Sequence, residues 1–141
     1  MKAAEMHFVP IPTSHEALGK TAHLWMPFIR RLAERNHEPL GSLISVIKNG
    51  QVQIGLVWDG ERASALLGWM FKDVGTTRVA EVHWLTGRGV KEWRHLLPEM
   101  ERYLKEHMGC VSIRPIARPG WEKFLKERGY RLTHYVMEKA L

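Results

Sequence analysis

The sequence has one cysteine, Cys110, so no internal disulfide can form, and neither a cysteine-rich zinc site nor a paired-cysteine redox motif can be built. A reducing compartment fits that usage. Long hydrophobic runs are also missing. No apolar stretch approaches the roughly 20 residues that span a bilayer, and Met1 to Thr13 lacks the continuous apolar core of a signal peptide. These two absences predict a protein with no membrane partner that stays in the cytoplasm. The eight histidines, at positions 7, 15, 23, 37, 83, 95, 107 and 134, show no compact ligand spacing, so no metal site is expected. There is no Walker loop and no Gly-x-Ser-x-Gly nucleophile elbow. No repeat, low-complexity tract or linker divides the 141 residues. A chain of that length buries most of its unfolded surface around one core, which predicts a single domain over residues 1–141.

What the sequence does have is a basic excess. The formal charge is +6, and it is uneven: residues 1–85 carry nine Lys/Arg against eight Asp/Glu, and residues 86–141 carry twelve against seven. Solvated helix faces explain such an excess as well as an anionic partner does, whether a phosphorylated cofactor or nucleic acid. No recognised nucleic-acid motif accompanies it, so a nucleic-acid partner rests on charge and scattered tryptophans alone.

Hydrophobic periodicity sets the element order. Met6 to Pro10 reads as a short strand, and Thr13 and Glu16 have capping-box spacing. Leu18, Ala22, Trp25, Ile29 and Leu32 then share one helical face, with Pro27 expected to kink or interrupt the helix. Ser42 to Asn49 reads as a second, short helix. Val52, Ile54, Leu56 and Trp58 alternate in a strand over Gln51 to Trp58, which meets the hairpin turn Asp59-Gly60. Return strands are predicted over Ala63 to Phe71 and Arg78 to Leu85. Beyond Gly89 the period becomes helical, through Val90, Trp93, Leu97, Met100 and Leu104, with a bend expected at Pro98. Cys110 to Ile116 reads as a strand, Pro119 to Arg128 as a helix capped by Gly129, and Arg131 to Glu138 as a last strand. A meander feeding strand, helix, strand, helix, strand predicts an α/β (α+β) three-layer fold, a mixed sheet of about six strands with helices on both faces.

That order, with the segments His83-Trp84-Leu85-Thr86-Gly87-Arg88-Gly89-Val90-Lys91-Glu92-Trp93, Gly109-Cys110-Val111 and Arg118-Pro119-Gly120-Trp121, resembles the GNAT superfamily of acyl-CoA N-acyltransferases. It looks in particular like small GNAT-like proteins of tailed phages and prophages, relatives of an internal virion protein. The resemblance implies an acetyl-CoA-dependent N-acetyltransferase acting on a small-molecule or protein amine. The alternative reading is a phage accessory protein that keeps the fold without the reaction and binds a phage or host protein. It implies that Trp84, Leu85, Thr86, Gly87, Arg88, Gly89, Val90 and Lys91 hold the cofactor. Backbone N–H groups at a strand-to-helix turn suit a pyrophosphate, because a helix N-terminus has unpaired donors and a favourable dipole. In the family's Gln/Arg-x-x-Gly-x-Gly/Ala pattern, Thr86, Gly89 and Lys91 occupy the defining positions, and only the central glycine matches.

Acyl transfer to an amine needs a base, an N–H donor to the carbonyl and an acid. Strict alternation along the fourth strand puts Glu81, His83 and Leu85 on one face and Arg78, Ala80, Val82 and Trp84 on the other. Glu81 or His83 is the candidate base, and the N–H near Trp84 or Leu85 the candidate donor. The structural alternative pairs Glu81 with Arg78 or Arg62 and makes His83 a hydrogen-bonded ring. Leu125 stands where the family often has an acidic tyrosine, which leaves Tyr130, or Tyr135, as the candidate acid.

Overall fold

The computed structural model describes residues 6–87, 94–117 and 119–141. Five strands form one sheet in the order β1 (His7–Pro10), β2 (Gln53–Trp58), β3 (Ala63–Val74), β4 (Thr77–Gly87), β5 (Cys110–Pro115). The first four pair antiparallel, and β5 lies parallel to β4. The turn between β2 and β3 is closed as its Asp-Gly pair predicts: the Asp59 carboxylate accepts from the N–H groups of Glu61 (3.0 Å) and Arg62 (2.9 Å), and Gly60 has φ 100°. The parallel β4–β5 pair requires a crossover, which ends in α3 (Leu97–Glu106).

Two cores form on the two faces of the sheet. On one, α1 (His15–Asn36) and α2 (Leu40–Lys48) set Leu18, Trp25, Ile29, Leu32, Leu43 and Ile47 against Ile54, Leu56, Leu66 and Trp84. On the other, Leu96, Met100 and Leu104 pack against Phe8, Val57, Leu67, Trp69, Ala80 and Val82. Burying both faces is what gives β2 and β3 their near-continuous apolar runs.

Several expectations need adjusting. The α1 cap is Ser14, accepting from the Ala17 N–H at 3.2 Å, one residue beyond Thr13. The helix runs through Pro27 as one element, so burial of Trp25, Phe28 and Ile29 outweighs the lost hydrogen bond. Pro98 falls in the first turn of α3, where its missing N–H costs nothing, so it starts the helix rather than bending it. A final short helix, α4 (Glu122–Lys126), precedes Gly129 at φ 88°. The sixth strand does not form: residues 130–141 have no regular structure, and Tyr135, Val136 and Met137 are exposed. A short apolar run of this kind reads as a strand, but a strand needs a paired edge and this segment reaches none.

Candidate active site

The functional geometry begins where β4 and β5 part. Their ladder runs from Arg78 opposite Cys110 to Val82 opposite Pro115. Pro115 has no N–H to extend it, and the last bond is from the Ile116 N–H to the Val82 carbonyl, at 2.9 Å. From Trp84 to Gly87, β4 keeps β3 on one side, and from His83 onward it has no β5 partner on the other. A cleft of about 280 Å³ opens at this fork, toward the small end of ligand sites. His83, Trp84, Leu85, Thr86 and Gly87 line it from β4, Ile116 and Ala117 from the other arm.

A bulge sits at the mouth of the fork. Gly68 pairs with Trp84 and Trp69 with Val82, so His83 is the extra residue on β4. This overturns the strict alternation expected along the strand. Trp84 joins the α1/α2 core, while Val82 and Leu85 pack toward α3. Glu81, His83 and Trp84 therefore share a face, and Leu85 does not.

Glu81 is engaged on three sides. Arg114 on β5 donates to its Oε2 at 2.9 Å, His83 Nε2 lies 3.3 Å from its Oε1, and Lys72 Nζ is 4.0 Å away. Burial disfavours its charge, but the hydrogen bonds from Arg114 and His83 and the nearby cations outweigh it and hold the carboxyl below the usual glutamate value. Glu81 pairs with neither expected arginine, since Arg78 bonds Asp73 and Arg62 lies near Asp59. His83 lines the cleft, and Glu81 does not.

Thr86 is buried, 3% exposed, and its hydroxyl has no partner among the described residues. The backbone at Gly87 has φ 148°, and a Cβ there would come within 2.5 Å of the Ala65 backbone, so this position is restricted to glycine by β3 itself. Arg35, at the end of α1, donates from Nη2 to the Leu85 carbonyl at 3.0 Å. Arg94 stands on the opposite wall, its guanidinium 5.1 Å from the Phe124 ring centre. No carboxylate lines the cleft among the described residues. The expected cofactor residues Arg88, Gly89, Val90 and Lys91 lie outside the described residues.

Tyr130 is placed away from this constellation. Its hydroxyl donates to the Glu101 carboxylate on α3, and it does not line the cleft. Burial first, then the hydrogen bond and charge of Glu101, push the phenol above its ordinary value. Tyr135 is 83% exposed in the tail. Leu125 lines the cleft, presenting an apolar side chain where the family resemblance expects a tyrosine.

Arg35, Arg94 and Phe124 are cleft residues that no sequence signal singled out. The Arg35–Leu85 contact spans fifty positions and belongs to no motif. Arg94 was readable only as part of the C-terminal basic excess.

No protein-family model and no curated sequence matches the chain. Solved structures do. The chain is similar to a possible acetyltransferase from Clostridium difficile, with a TM-score of 0.66 and 9% identity over 96% of this chain and 97% of that one. It is similar to glucosamine-6-phosphate N-acetyltransferase from Arabidopsis thaliana, TM-score 0.63 and 10% identity over 96% and 97%. It is also similar to an aminoglycoside N-acetyltransferase in complex with CoA, TM-score 0.64 and 14% identity over 96% and 94%. At these identities the likeness is one of fold: the chain has the mixed α+β fold of the GNAT acetyltransferases, with five strands among the described residues. The likeness to phage and prophage proteins has no counterpart among these three structures.

Proposed function

We propose that the protein is an acyl-CoA-dependent N-acyltransferase, using acetyl-CoA, with the fork between β4 and β5 as its cofactor cleft and an amine as acceptor. The observation that carries this reading is the parting of the two strands beyond Val82, which leaves the β4 edge from His83 to Gly87 without a strand partner and opens a cleft along it. An extended ligand arm can take up such an edge through backbone hydrogen bonds.

The chain's own groups fit acyl-CoA. Among the described residues, Thr86 offers an unpartnered buried hydroxyl, Leu97, Trp121 and Phe124 offer apolar walls, and Arg35 and Arg94 offer positive charge with no competing carboxylate on the lining. When bound, acyl-CoA supplies an electrophilic thioester carbonyl and a thiol leaving group. On this reading the backbone N–H near Trp84 or Leu85 polarises that carbonyl, and the bulge at His83 aims the strand for it. His83 takes the proton from the acceptor amine. The Thr86 hydroxyl can donate a hydrogen bond to the departing thiolate, which takes its proton from solvent, whereas the Tyr130 hydroxyl is already held by Glu101. The acceptor is a small-molecule or protein amine.

Calorimetry of the full chain with acetyl-CoA and with desulfo-CoA, followed by thiol release with a panel of amines, tests the proposal. Binding of both ligands and amine-dependent thiol release are expected. No heat and no thermal shift at millimolar cofactor would overturn it in favour of a GNAT-type fold retained for assembly with a phage or host protein.

A further inference from the structure

The proposed function leaves Glu81 without a part. It is half-buried and charged, and it does not line the cleft. Its two carboxylate oxygens have different partners: Oε2 accepts from Arg114 at 2.9 Å, and Oε1 faces His83 Nε2 at 3.3 Å. A carboxylate can only accept hydrogen bonds, so the nitrogen facing it must carry the proton. His83 Nδ1 has no hydrogen-bond partner among the described residues, and the ring lines the cleft.

We propose that Glu81 is a positioning residue that, anchored across the sheet by Arg114, holds the proton of neutral His83 on Nε2 and thereby makes Nδ1 the proton acceptor offered to the cleft. Two residues apart on β4, Glu81 and His83 share a face of the strand, and the bulge leaves His83 without a β3 partner. The base is therefore built by the junction of three strands: β4 supplies the imidazole and carboxylate, β5 the guanidinium, and β3 the Lys72 ammonium 4.0 Å from Glu81. Arg35 of α1 and Arg94 are the further charged groups lining the same cleft among the described residues. The inference rests on the acyltransferase reading for the use of the base, but not for the tautomer.

Glu81→Gln is a discriminating change, because it preserves size and forces a choice. Arg114 has only donors, so it claims the amide oxygen. The amide NH2 then turns to His83, which must accept at Nε2 and carry its proton on Nδ1. Long-range proton–nitrogen spectra of the full chain with labelled histidine read this directly. Neutral His83 should be protonated on Nε2 in the wild type and on Nδ1 in Glu81→Gln. Thiol release should lose about a hundredfold in kcat, the scale of a lost general base, with the KM for acetyl-CoA unchanged. A wild-type His83 protonated on Nδ1 would overturn the proposal, as would Glu81→Gln spectra that keep the Nε2 proton. A switched tautomer with unchanged kcat would overturn the role of Nδ1 as base. A wild type that releases no thiol with any amine defeats the acyltransferase reading instead, and the spectra still decide the Glu81–His83 relationship.

Discussion

Gly68 lies against the face of Trp84, so closely that a Cβ on Gly68 would come within 2.6 Å of the indole Cε3 and 3.1 Å of the Trp84 Cβ. The two residues are paired across β3 and β4, immediately beside the bulge. Trp84 is 8% exposed and wedged among the α1 core, so it has no room to retreat. Gly68→Ala is expected to cost about 1–3 kcal/mol through overpacking and to weaken acetyl-CoA binding by displacing the strand at the cleft. Denaturant unfolding and calorimetry on the one variant check both effects. Unchanged stability would show that the bulge tolerates a shift.

Tyr130→Phe separates a structural tyrosine from a catalytic one. The hydroxyl given up is the one that bonds Glu101, so a loss of about 1–2 kcal/mol is expected near neutral pH, lowering Tm by about 2–4 °C per kcal/mol. Because the folded-state value of this phenol is raised, its contribution is present in full below the ordinary tyrosine value of 10.0 and disappears as pH climbs through the higher folded value. Thiol release should persist in Tyr130→Phe. Loss of turnover with intact folding would return Tyr130 to the role of acid.

Glu81 gives the opposite pH dependence. Its folded-state value lies below the ordinary glutamate value of 4.5, so its carboxylate contributes stability above about that pH and loses the contribution as pH falls through the lower folded value. Wild type should therefore be more stable than Glu81→Gln at pH 7, with the difference shrinking in acid. Paired thermal melts between pH 3 and pH 7 measure it, and a difference that stays constant would mean the Arg114 contact carries no net charge stabilisation.

The same residues show what could be read in the sequence and what could not. The alternation of Ile54, Leu56 and Trp58, the Asp59-Gly60 turn and the helical spacing of Leu97, Met100 and Leu104 are local signals, and the elements they predict are present. The bulge at His83 is not local. It depends on how β4 meets Gly68 on β3, and one inserted residue reverses every face assignment after it. Glu81 and His83 were legible as candidates because they are titratable groups on the strand before a glycine turn, but their division of labour depends on Arg114, thirty-three residues away. The tail from Arg131 reads as a strand because periodicity reports a face, not the presence of a partner. Tyr130 looked available for chemistry because nothing nearby in sequence announces Glu101.

Thr86→Val should push stability and binding in opposite directions. The hydroxyl is buried with no partner among the described residues, and replacing it by an isosteric methyl removes an unsatisfied polar group, which stabilises the free protein by about 1 kcal/mol. If the hydroxyl meets the ligand, the same change weakens acetyl-CoA binding or slows thiol release. A variant that gains stability and keeps full activity would show that Thr86 only lines the cleft.

The central claim is that the β4–β5 fork is the acyl-CoA site, and amide chemical-shift mapping of the full chain titrated with desulfo-CoA tests it most directly. The account predicts saturable shifts at Trp84, Leu85 and Thr86 on one arm and at Ile116 and Ala117 on the other, with the Trp121 indole responding between them. Saturable shifts confined to the shallow surface around His15, Ser45 and Lys48, or no shifts at all, would contradict it.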